Sequence, residues 1–378
     1  MKVIVVGGGI VGASCAYALA RQGARVELLD AGDPPSGASA RSDGSLFLGN
    51  KRPADVPLVR AALATWQRLL PQVGDIEFES NELLMVAQDE AQERALVERV
   101  AALRAAGVDV RELTGAQCVA VEPGLAPVRF GSQVVESREL QPMLATLAML
   151  RLARAAGTTV RPHTRVQAVR PGEVRTADGT HPADEVVVAA GAWTGELLAG
   201  SGHRVPIEPR RGHVLVVERK AAELVRCGAM GSTYADVAQS ADPDLHVVPL
   251  VTVTKSGTVL IGASRERVGL RDQVDPHLVT RMCAAAVSLY PGLASCRVTR
   301  SWVGFRPWAT GGYPYVGRLA PGLSVAAGHE GEGITYGPYT GEVLASHLLA
   351  GADVPAVWQL PQTSDTGLLR EGGTACPT

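Results

Sequence analysis

A glycine-rich segment near the start of the chain limits the possible folds more than any other feature. Residues 7–12 have the spacing Gly-x-Gly-x-x-Gly and lie between an apolar segment, residues 3–6, and a helical segment, residues 13–22. A strand, this tight turn and a helix N-terminus together bind the pyrophosphate of a dinucleotide, because the glycines let the phosphates approach backbone N–H groups. Asp30 ends the next predicted strand, where an acid binds ribose hydroxyls and disfavours a 2′-phosphate. The pattern therefore predicts a site for NAD or FAD.

The order of the predicted elements indicates two domains built from interleaved segments. Apolar strands followed by helices, which are typical of a parallel sheet, characterise three segments: 1–75, 140–205 and 300–360. Shorter strands with alternating polarity characterise the other two: 76–139 and 206–299. We therefore predict an α/β plus α+β protein, in which a Rossmann-type dinucleotide-binding domain is interleaved with a substrate domain built on a mixed or antiparallel sheet. The end of the chain, 361–378, is predicted to be a flexible tail.

Proline, glycine and hydrophobic periodicity predict the individual helices. Residues 57–70 are predicted to form a helix that begins at a proline and ends before Pro71. Residues 117–131 are predicted to be irregular. A last buried strand at 323–327 precedes a last helix at 333–350.

Charge and composition exclude several classes of protein. The chain has 36 Lys and Arg against 38 Asp and Glu, so it lacks the positive charge that binds nucleic acid. No segment approaches the ~18 consecutive apolar residues of a membrane span, and the start of the chain lacks the features of a signal peptide. The six cysteines are scattered without metal-binding spacing. We expect a cytoplasmic protein that binds no metal and no nucleic acid.

Aromatic residues are only 4% of the chain, yet half of them fall within one stretch of fifty residues. They are Tyr290, Trp302, Phe305, Trp308, Tyr313, Tyr315, Tyr336 and Tyr339. This concentration indicates a candidate ligand-binding region near the end of the chain.

Four further motifs resemble those of the FAD-dependent D-amino acid oxidase, glycine oxidase and sarcosine oxidase family, most closely its glycine oxidase and D-hydroxyproline dehydrogenase-like members. In chain order they are Ser36-Gly-Ala-Ser-Ala-Arg-Ser-Asp-Gly-Ser45, Val187-Val-Ala-Ala-Gly-Ala-Trp193, Gly304-Phe-Arg-Pro307 and Gly328-His-Glu-Gly-Glu-Gly-Ile334. They keep the family's order and spacing over most of residues 1–355. The resemblance implies FAD rather than NAD. The FAD is expected to be noncovalent, because Trp308-Ala-Thr310 lacks the cysteine to which monomeric sarcosine oxidases attach it.

The resemblance also implies the cofactor contacts, position by position. The glycine-rich turn would hold the pyrophosphate, and the helix that begins at Gly333 would direct its positive N-terminus at the flavin, where the reduced ring carries negative charge. The implied cofactor-binding residues are Gly7, Gly9, Ile10, Val11, Gly12, Asp30, Ala31, Ser36, Ala38, Ser39, Asp43, Gly44, Ser45, Val166, Ala190, Gly191, Trp193, Gly328, His329, Glu330, Gly331, Glu332, Gly333 and Ile334.

Candidate substrate contacts follow from the same resemblance. Arg306, in the Gly-x-Arg-Pro motif, would bind a substrate carboxylate; the residues alone leave open a structural arginine in an extended segment. His246 falls near a substrate-contacting tyrosine of the glycine oxidases and is equally well explained as a half-exposed strand residue. His213 is a weaker candidate. Lys51 and Arg52 are predicted to lie in a solvated loop.

The implied activity is oxidation of the CH–NH bond of an amino acid or of a secondary amine such as an N-substituted glycine. Hydride would pass to flavin N5, water would hydrolyse the imine, and O2 would reoxidise the flavin with formation of H2O2. Two alternatives stay open: a D-amino acid or D-hydroxyproline dehydrogenase that uses a carrier or quinone, and a noncatalytic or partner-dependent flavoprotein subunit. Glycine oxidase-like sequences carry a second arginine where this chain has Gly331. This difference favours a bulkier or secondary amine over glycine, and the sequence predicts no oligomeric state.

Overall fold

The computed structural model describes residues 1–80, 82–242 and 244–360, so the predicted tail lies outside the described residues. The α-helices in this part of the chain are α1 (Ile10–Arg21), α2 (Val56–Val73), α3 (Glu90–Ala105), α4 (Gly115–Val121), α5 (Pro142–Ala155), α6 (Thr194–Ala199), α7 (Tyr234–Gln239), α8 (Pro276–Leu289) and α9 (Gly333–Ala350). None of these helices is long and apolar enough to cross a membrane.

The β-strands of the described residues form four sheets. In chain order they are β1 (Lys2–Val6), β2 (Arg25–Leu29), β3 (Ser45–Leu46), β4 (Glu79–Ser80), β5 (Leu84–Ala87), β6 (Val110–Thr114), β7 (Phe130–Val134), β8 (Arg138–Glu139), β9 (Thr159–Arg161), β10 (Ala168–Arg170), β11 (Glu173–Thr176), β12 (Gly179–Pro182), β13 (Glu185–Val188), β14 (Ile207–Val217), β15 (Ala229–Gly231), β16 (His246–Val253), β17 (Val259–Arg265), β18 (Val298–Ala309), β19 (Tyr315–Ala320) and β20 (Leu323–Ala327).

A six-stranded sheet, in the order β19-β20-β13-β1-β2-β9, is parallel except for its antiparallel edge strand β19. Its central strands are almost wholly apolar because both faces are covered, one by helices that include α1 and the other by β10, β11 and α6, so they have no solvated side. Strand β1 leads through the glycine-rich turn into α1, as predicted. The predicted Rossmann-type fold is confirmed.

An eight-stranded sheet, in the order β18-β14-β17-β16-β15-β5-β7-β6, is antiparallel except where β15 and β5 run parallel. Helix α8 covers one face and buries Leu278, Met282, Ala286 and Leu289, whose spacing places them on one side of the helix. Part of the other face is left to line a cavity. Two three-stranded sheets, β10-β11-β12 and β3-β8-β4, complete the fold.

Three features differ from the expectations drawn from the sequence. Helix α2 continues through Pro71 and ends at Gly74, which has φ +71°. Helix α4 extends into the segment 117–131 that was predicted to be irregular, and its start carries a capping box between Thr114 and Gln117. Strand β18 is an edge strand of the eight-stranded sheet, so residues 300–309 belong by pairing with the predicted substrate domain. Its edge position tolerates Pro307, which has no N–H to donate.

Candidate functional site

A cavity of about 930 Å³ runs from the glycine-rich turn after β1 to the inner face of the eight-stranded sheet. It lies at the carboxyl ends of the parallel strands, where open α/β sheets bind ligands. The predicted site residues line this cavity with six exceptions, which are Gly12, Gly44, Ser45, His246, Gly328 and Glu332. The structure therefore brings together motifs that are more than 300 positions apart in the chain.

The glycine-rich turn has the geometry of a phosphate cradle. A side chain at Gly12 would collide with the carbonyl oxygen of Gly7, which itself has φ +108°, so both positions need glycine for close packing. Gly9 instead faces the cavity, and the backbone N–H of Ile10 donates to Ser39 Oγ at 3.0 Å. The turn thus presents bare backbone and the first turn of α1 to the cavity, and it fits a pyrophosphate.

Asp30 is held in place at the end of β2. Its Oδ2 accepts from the Gly8 N–H at 2.7 Å, and its Oδ1 accepts from the Gly32 N–H at 2.9 Å and from Ser36 Oγ at 3.2 Å. The carboxylate also lines the cavity, so it is oriented for ribose hydroxyls. The turn and this acid together fit the adenosine diphosphate part of FAD.

The segment that enters α9 crosses the middle of the cavity. Gly328 has φ +91°, and the Glu330 N–H donates to the carbonyl of Pro307 at 2.9 Å, which ties the segment to β18. The indole of Trp66 donates to Ile334 O at 2.9 Å. In a regular helix this carbonyl would accept from the N–H of residue 338, but Pro338 has no N–H, so the Trp66 indole takes its place. The start of α9 is thereby fixed where the flavin ring of FAD is expected.

His329 and Glu332 anchor this segment rather than react. His329 is buried, its Nε2 lies 2.9 Å from Thr340 Oγ1, and burial lowers its pKa to about 3, so the ring is neutral. Glu332 forms an ion pair with Lys51. The prediction that Lys51 lies in a solvated loop is wrong: the side chain is buried, because it compensates a carboxylate at the start of α9. Arg52 stacks on Tyr313, with Cζ 4.8 Å from the ring centroid.

Arg306 lies at the opposite end of the cavity from the glycine-rich turn. Its guanidinium occupies the space that two glycines leave open: a Cβ on Gly212 would overlap it, and one on Gly331 would lie 3.9 Å from Cδ and Nε. Nη1 donates to the carbonyl of Ser264 at 3.1 Å, whereas Nη2 has no hydrogen bond to any described residue. Burial and the nearby Arg265 lower the pKa of Arg306. The cation therefore has donors available to an anion.

Two further arginines near this site were missed by the sequence interpretation. Arg210 stands directly opposite Arg306 in the pairing of β14 with β18, and Arg265 ends β17. Together with Arg306 they surround Glu330, whose Oε1 lies 3.6 Å from Arg210 Nη1, 3.5 Å from Arg265 Nε and 4.0 Å from Arg306 Nε. We call these four residues the Glu330 cluster. The consecutive residues Arg210, Arg211 and Gly212 could have suggested a cationic site. The sequence does not show the register of β14 and β18 that places Arg210 beside Arg306.

Electrostatics keep the Glu330 cluster ionised. Burial lowers the pKa of Arg210 to about 10, which still leaves it charged near neutral pH. Burial opposes ionisation of Glu330, yet Arg265, Arg306 and Arg210 together hold its pKa below the ordinary value. Glu330 also has φ +46°, a conformation that residues other than glycine seldom adopt and that clusters at functional sites.

A tyrosine, and not His246, lines the cavity near these arginines. His246 lies outside the cavity wall, with Nε2 3.3 Å from Asp242 Oδ2. Tyr234, at the start of α7, lines the cavity, and its hydroxyl accepts from Arg265 Nη2 at 3.0 Å. Since arginine only donates, the Tyr234 hydroxyl keeps its own hydrogen for another acceptor. His246 is therefore not brought to the cavity with Arg306, whereas Tyr234 is.

His213 lines the cavity as a buried, neutral ring. Its Nε2 accepts from the Asp275 N–H at 3.2 Å, and Nδ1 lies 3.2 Å from Ser264 Oγ. Burial, followed by the charge of Arg211, lowers its pKa. Both ring nitrogens are therefore occupied by protein groups.

Comparison with known proteins agrees with this geometry. The model of a family described as DAO, FAD dependent oxidoreductase, matches residues 2–347. A glycine oxidase of Bacillus licheniformis is 28% identical over 372 residues, which cover 94% of each chain. The crystal structure of glycine oxidase from Geobacillus kaustophilus matches with a TM-score of 0.84 and 25% identity, covering 96% of this chain and 99% of that one. The hydrogen cyanide synthase subunit HcnC of Pseudomonas aeruginosa is 26% identical, over 90% of this chain and 91% of the relative.

Proposed function

Because the chain belongs to the DAO family of FAD-dependent oxidoreductases, we propose that it oxidises the CH–NH bond of an amino acid or of an N-substituted glycine. The observation that carries this proposal is the Arg306 guanidinium, held in the cavity wall with Nη2 unpaired among the described residues. A guanidinium binds a carboxylate through two parallel, charge-assisted hydrogen bonds, which fix both its position and its orientation.

The protein's contribution to catalysis is positioning and exclusion of water. A carboxylate on Arg306 would hold the attached α-carbon at one place in the cavity, which converts binding energy into a near-attack geometry. When bound, FAD supplies the redox chemistry by accepting the hydride that leaves this carbon. Phe305 and Trp193 pack edge to face, with ring centroids 6.2 Å apart, and both line the cavity. Because Phe305 is buried whereas Trp193 is partly exposed, we propose that the ring of Phe305 is the one that limits water at this end of the cavity.

The two histidines of the cavity are not available as bases. His213 accepts a backbone N–H at Nε2, and His329 is paired with Thr340. Both have a lowered pKa from burial and stay neutral. We therefore propose that the substrate amine loses its proton to water before oxidation, so that its reactive, neutral form is the one that binds productively.

The test is anaerobic reduction of the flavin. We expect the purified yellow holoenzyme to bleach when a panel of N-substituted glycines and D-amino acids is added without oxygen, and readmitted air then distinguishes an oxidase, which forms H2O2, from a dehydrogenase. Similarity to a hydrogen cyanide synthase subunit favours a second candidate, a partner-dependent flavoprotein. A yellow protein that no amine bleaches would support that candidate and contradict ours.

Arg306→Gln tests the residue assignment. The glutamine keeps a hydrogen-bond donor but loses the charge and the second parallel bond, so we expect kcat/KM for flavin reduction to fall at least ~30-fold, equivalent to ~2 kcal/mol. The FAD content should be unchanged, because Arg306 lies at the opposite end of the cavity from the glycine-rich turn. Arg267→Gln is the matched control: Arg267 stacks on Trp308 at 4.4 Å outside the Glu330 cluster, and its kinetics should match the unmodified enzyme. Equal rates in both variants would remove Arg306 from the site.

A further inference from the structure

We propose that the Glu330 cluster makes this enzyme select substrates that carry a second anionic group besides the carboxylate bound by Arg306. This inference rests on the proposed function, since it names the substrate class for the same cavity. The cluster consists of three guanidinium groups, those of Arg210, Arg265 and Arg306, around the single carboxylate of Glu330.

The cluster contains more positive than negative charge. Arg210 and Arg265 are each only 2% exposed, so water screens them little. Their other close partners are neutral: Arg210 donates to the carbonyls of Val237 and Ala238, and Arg265 donates to the Tyr234 hydroxyl. Among the described residues, Glu330 is the only one whose carboxylate lies within 4.0 Å of any of the three arginines. Three cations and one anion give the cluster a net charge of +2, and Asp43, which also lines the cavity, acts on Arg306 from beyond 4.0 Å.

Hydrogen bonding within the cluster is incomplete. Nε and Nη1 of Arg265 and Oε1 of Glu330 are buried and have no hydrogen-bond partner among the described residues. The distances of 3.5 to 4.0 Å between Glu330 Oε1 and the arginines exceed those of good hydrogen bonds. Buried charges without partners are costly, so a ligand that brings negative charge close to them is favoured. One substrate carboxylate would leave the cluster with an excess of one positive charge, and a second anionic group would offset it.

The cavity has room for this second group. Gly331 stands where the resemblance predicts an arginine, and a Cβ placed there would meet only Arg306 Cδ and Nε, at 3.9 Å, so the space of a longer side chain is left open. Tyr234 lines the same region and accepts from Arg265, so its hydroxyl hydrogen is available to a ligand that offers an acceptor. Arg306, Glu330 and Tyr234 line this end of the cavity, and the buried Arg210 and Arg265 act on it from outside the cavity wall, so the positive charge and the space beside Gly331 occur at the same end.

The experiment compares ligands that differ in one charge and little else. N-(carboxymethyl)glycine and N-(carbamoylmethyl)glycine share the reacting N–CH2–COO⁻ unit and have nearly equal volume. We expect kcat/KM for anaerobic flavin reduction of the holoenzyme to be at least about tenfold higher for the diacid. Malonate and its half-amide are compared in parallel by their perturbation of the flavin spectrum, which requires no oxidation. There we expect malonate to bind at least about tenfold more tightly.

Two variants must move this preference in opposite directions. Arg265→Gln removes one positive charge and should lower the malonate to half-amide affinity ratio, whereas Glu330→Gln removes the negative charge and should raise it. Arg267→Gln, outside the cluster, should leave the ratio unchanged. A ratio of one or less in the unmodified enzyme, or a ratio that both cluster variants change in the same direction, would overturn the inference. A strong malonate preference without flavin reduction by any amine would instead contradict only the proposed oxidation.

Discussion

At the scale of single residues, Arg306 depends on a glycine of the neighbouring strand. Gly212 lies on β14, and a Cβ placed there would be 2.8 Å from both Arg306 Cζ and the carbonyl oxygen of Ser264. The Ser264 carbonyl is backbone and accepts from Arg306 Nη1, so neither neighbour can yield without breaking that hydrogen bond. The one-carbon change Gly212→Ala therefore acts on the position of Arg306 without changing its charge.

We expect Gly212→Ala to lower kcat/KM for flavin reduction at least about tenfold, because a displacement of about 1 Å at a positioning group can cost that much or more. The measurement is anaerobic stopped-flow reduction of the holoenzyme. Gly231→Ala is the control in the same sheet, since its Cβ would make only ordinary contacts, the nearest at 3.5 Å. Unchanged kinetics in Gly212→Ala would show that the guanidinium tolerates displacement and does not orient the substrate.

His329 gives a prediction about stability and pH. Its pKa of about 3 in the folded protein lies below the ordinary value of about 6.5, because the buried ring disfavours a charge. The unfolded chain therefore binds more protons between these values, and stability is fully present above about pH 6.5 and is lost as the pH falls below it. From pH 7 to pH 5 this one residue should cost about 2 kcal/mol.

Urea unfolding of the holoenzyme at pH 5, 6 and 7 measures this effect. His329→Gln keeps a partner for Thr340 but cannot be protonated, so its free energy of unfolding should fall about 2 kcal/mol less over the same interval than that of the unmodified protein. Parallel pH dependences of the two proteins would mean that His329 is accessible to protons in the folded state.

At the scale of elements, the close packing of α1 on α9 brings the N-termini of the two helices to the same cavity. A Cβ on Gly341 would lie 2.5 Å from the backbone oxygen of Ser14, and one on Gly337 would lie 2.9 Å from Ile10 Cγ1. Because these glycines let the helices approach, the glycine-rich turn before α1 and the start of α9 both line the one cavity. The two helix N-termini thus act as one binding surface.

We expect Gly341→Ala to push α9 away from α1 and so to weaken FAD binding as well as folding. Overpacking against backbone costs about 1 to 3 kcal/mol, and the displaced start of α9 should release FAD during gel filtration. The assays are the FAD to protein ratio and the thermal unfolding temperature. Gly231→Ala, in β15 and outside the cavity lining, is the control, since its nearest contact would be at 3.5 Å. A variant with a lower unfolding temperature and an unchanged FAD to protein ratio would contradict the prediction, because the packing of α9 on α1 would then not affect FAD binding.

Local patterns and long-range pairing differ in what the sequence reveals. The turn at residues 7–12 can be predicted from the sequence because the close contacts that require its glycines lie within one short strand–turn–helix unit. The proximity of Arg210 to Arg306 was not, because it arises from the register of β14 and β18, which non-local pairing determines. Lys51 was misplaced for a similar reason: its counter-ion, Glu332, is 281 positions away in the chain. The end of the cavity with the Glu330 cluster is built from several elements that are distant in the chain, whereas the end with the glycine-rich turn is built largely from one local unit. The first is therefore harder to predict from the sequence.

At the scale of the whole molecule, the cavity is shared between the two large sheets. The six-stranded sheet and its helices supply the cradle for the phosphates, and β14, β17 and β18 of the eight-stranded sheet carry the three arginines of the Glu330 cluster. Glu330, which joins those arginines, follows β20 of the six-stranded sheet. A ligand that fills the cavity therefore contacts both sheets at once, and its binding should couple them.

FAD removal tests this coupling. A ligand that binds only the folded protein adds about 2.7 kcal/mol of stability at one hundred times its Kd, so added FAD should raise the unfolding temperature of the apoprotein by several degrees. Because the cavity walls come from both sheets, we expect the holoenzyme to unfold in one transition by calorimetry, with flavin fluorescence and far-UV circular dichroism changing together. Added NAD, which offers the same adenosine diphosphate but not the flavin, should give a smaller rise. Two transitions, of which FAD shifts only one, would instead mean that the sheets unfold independently and that the substrate end is assembled without help from the cofactor.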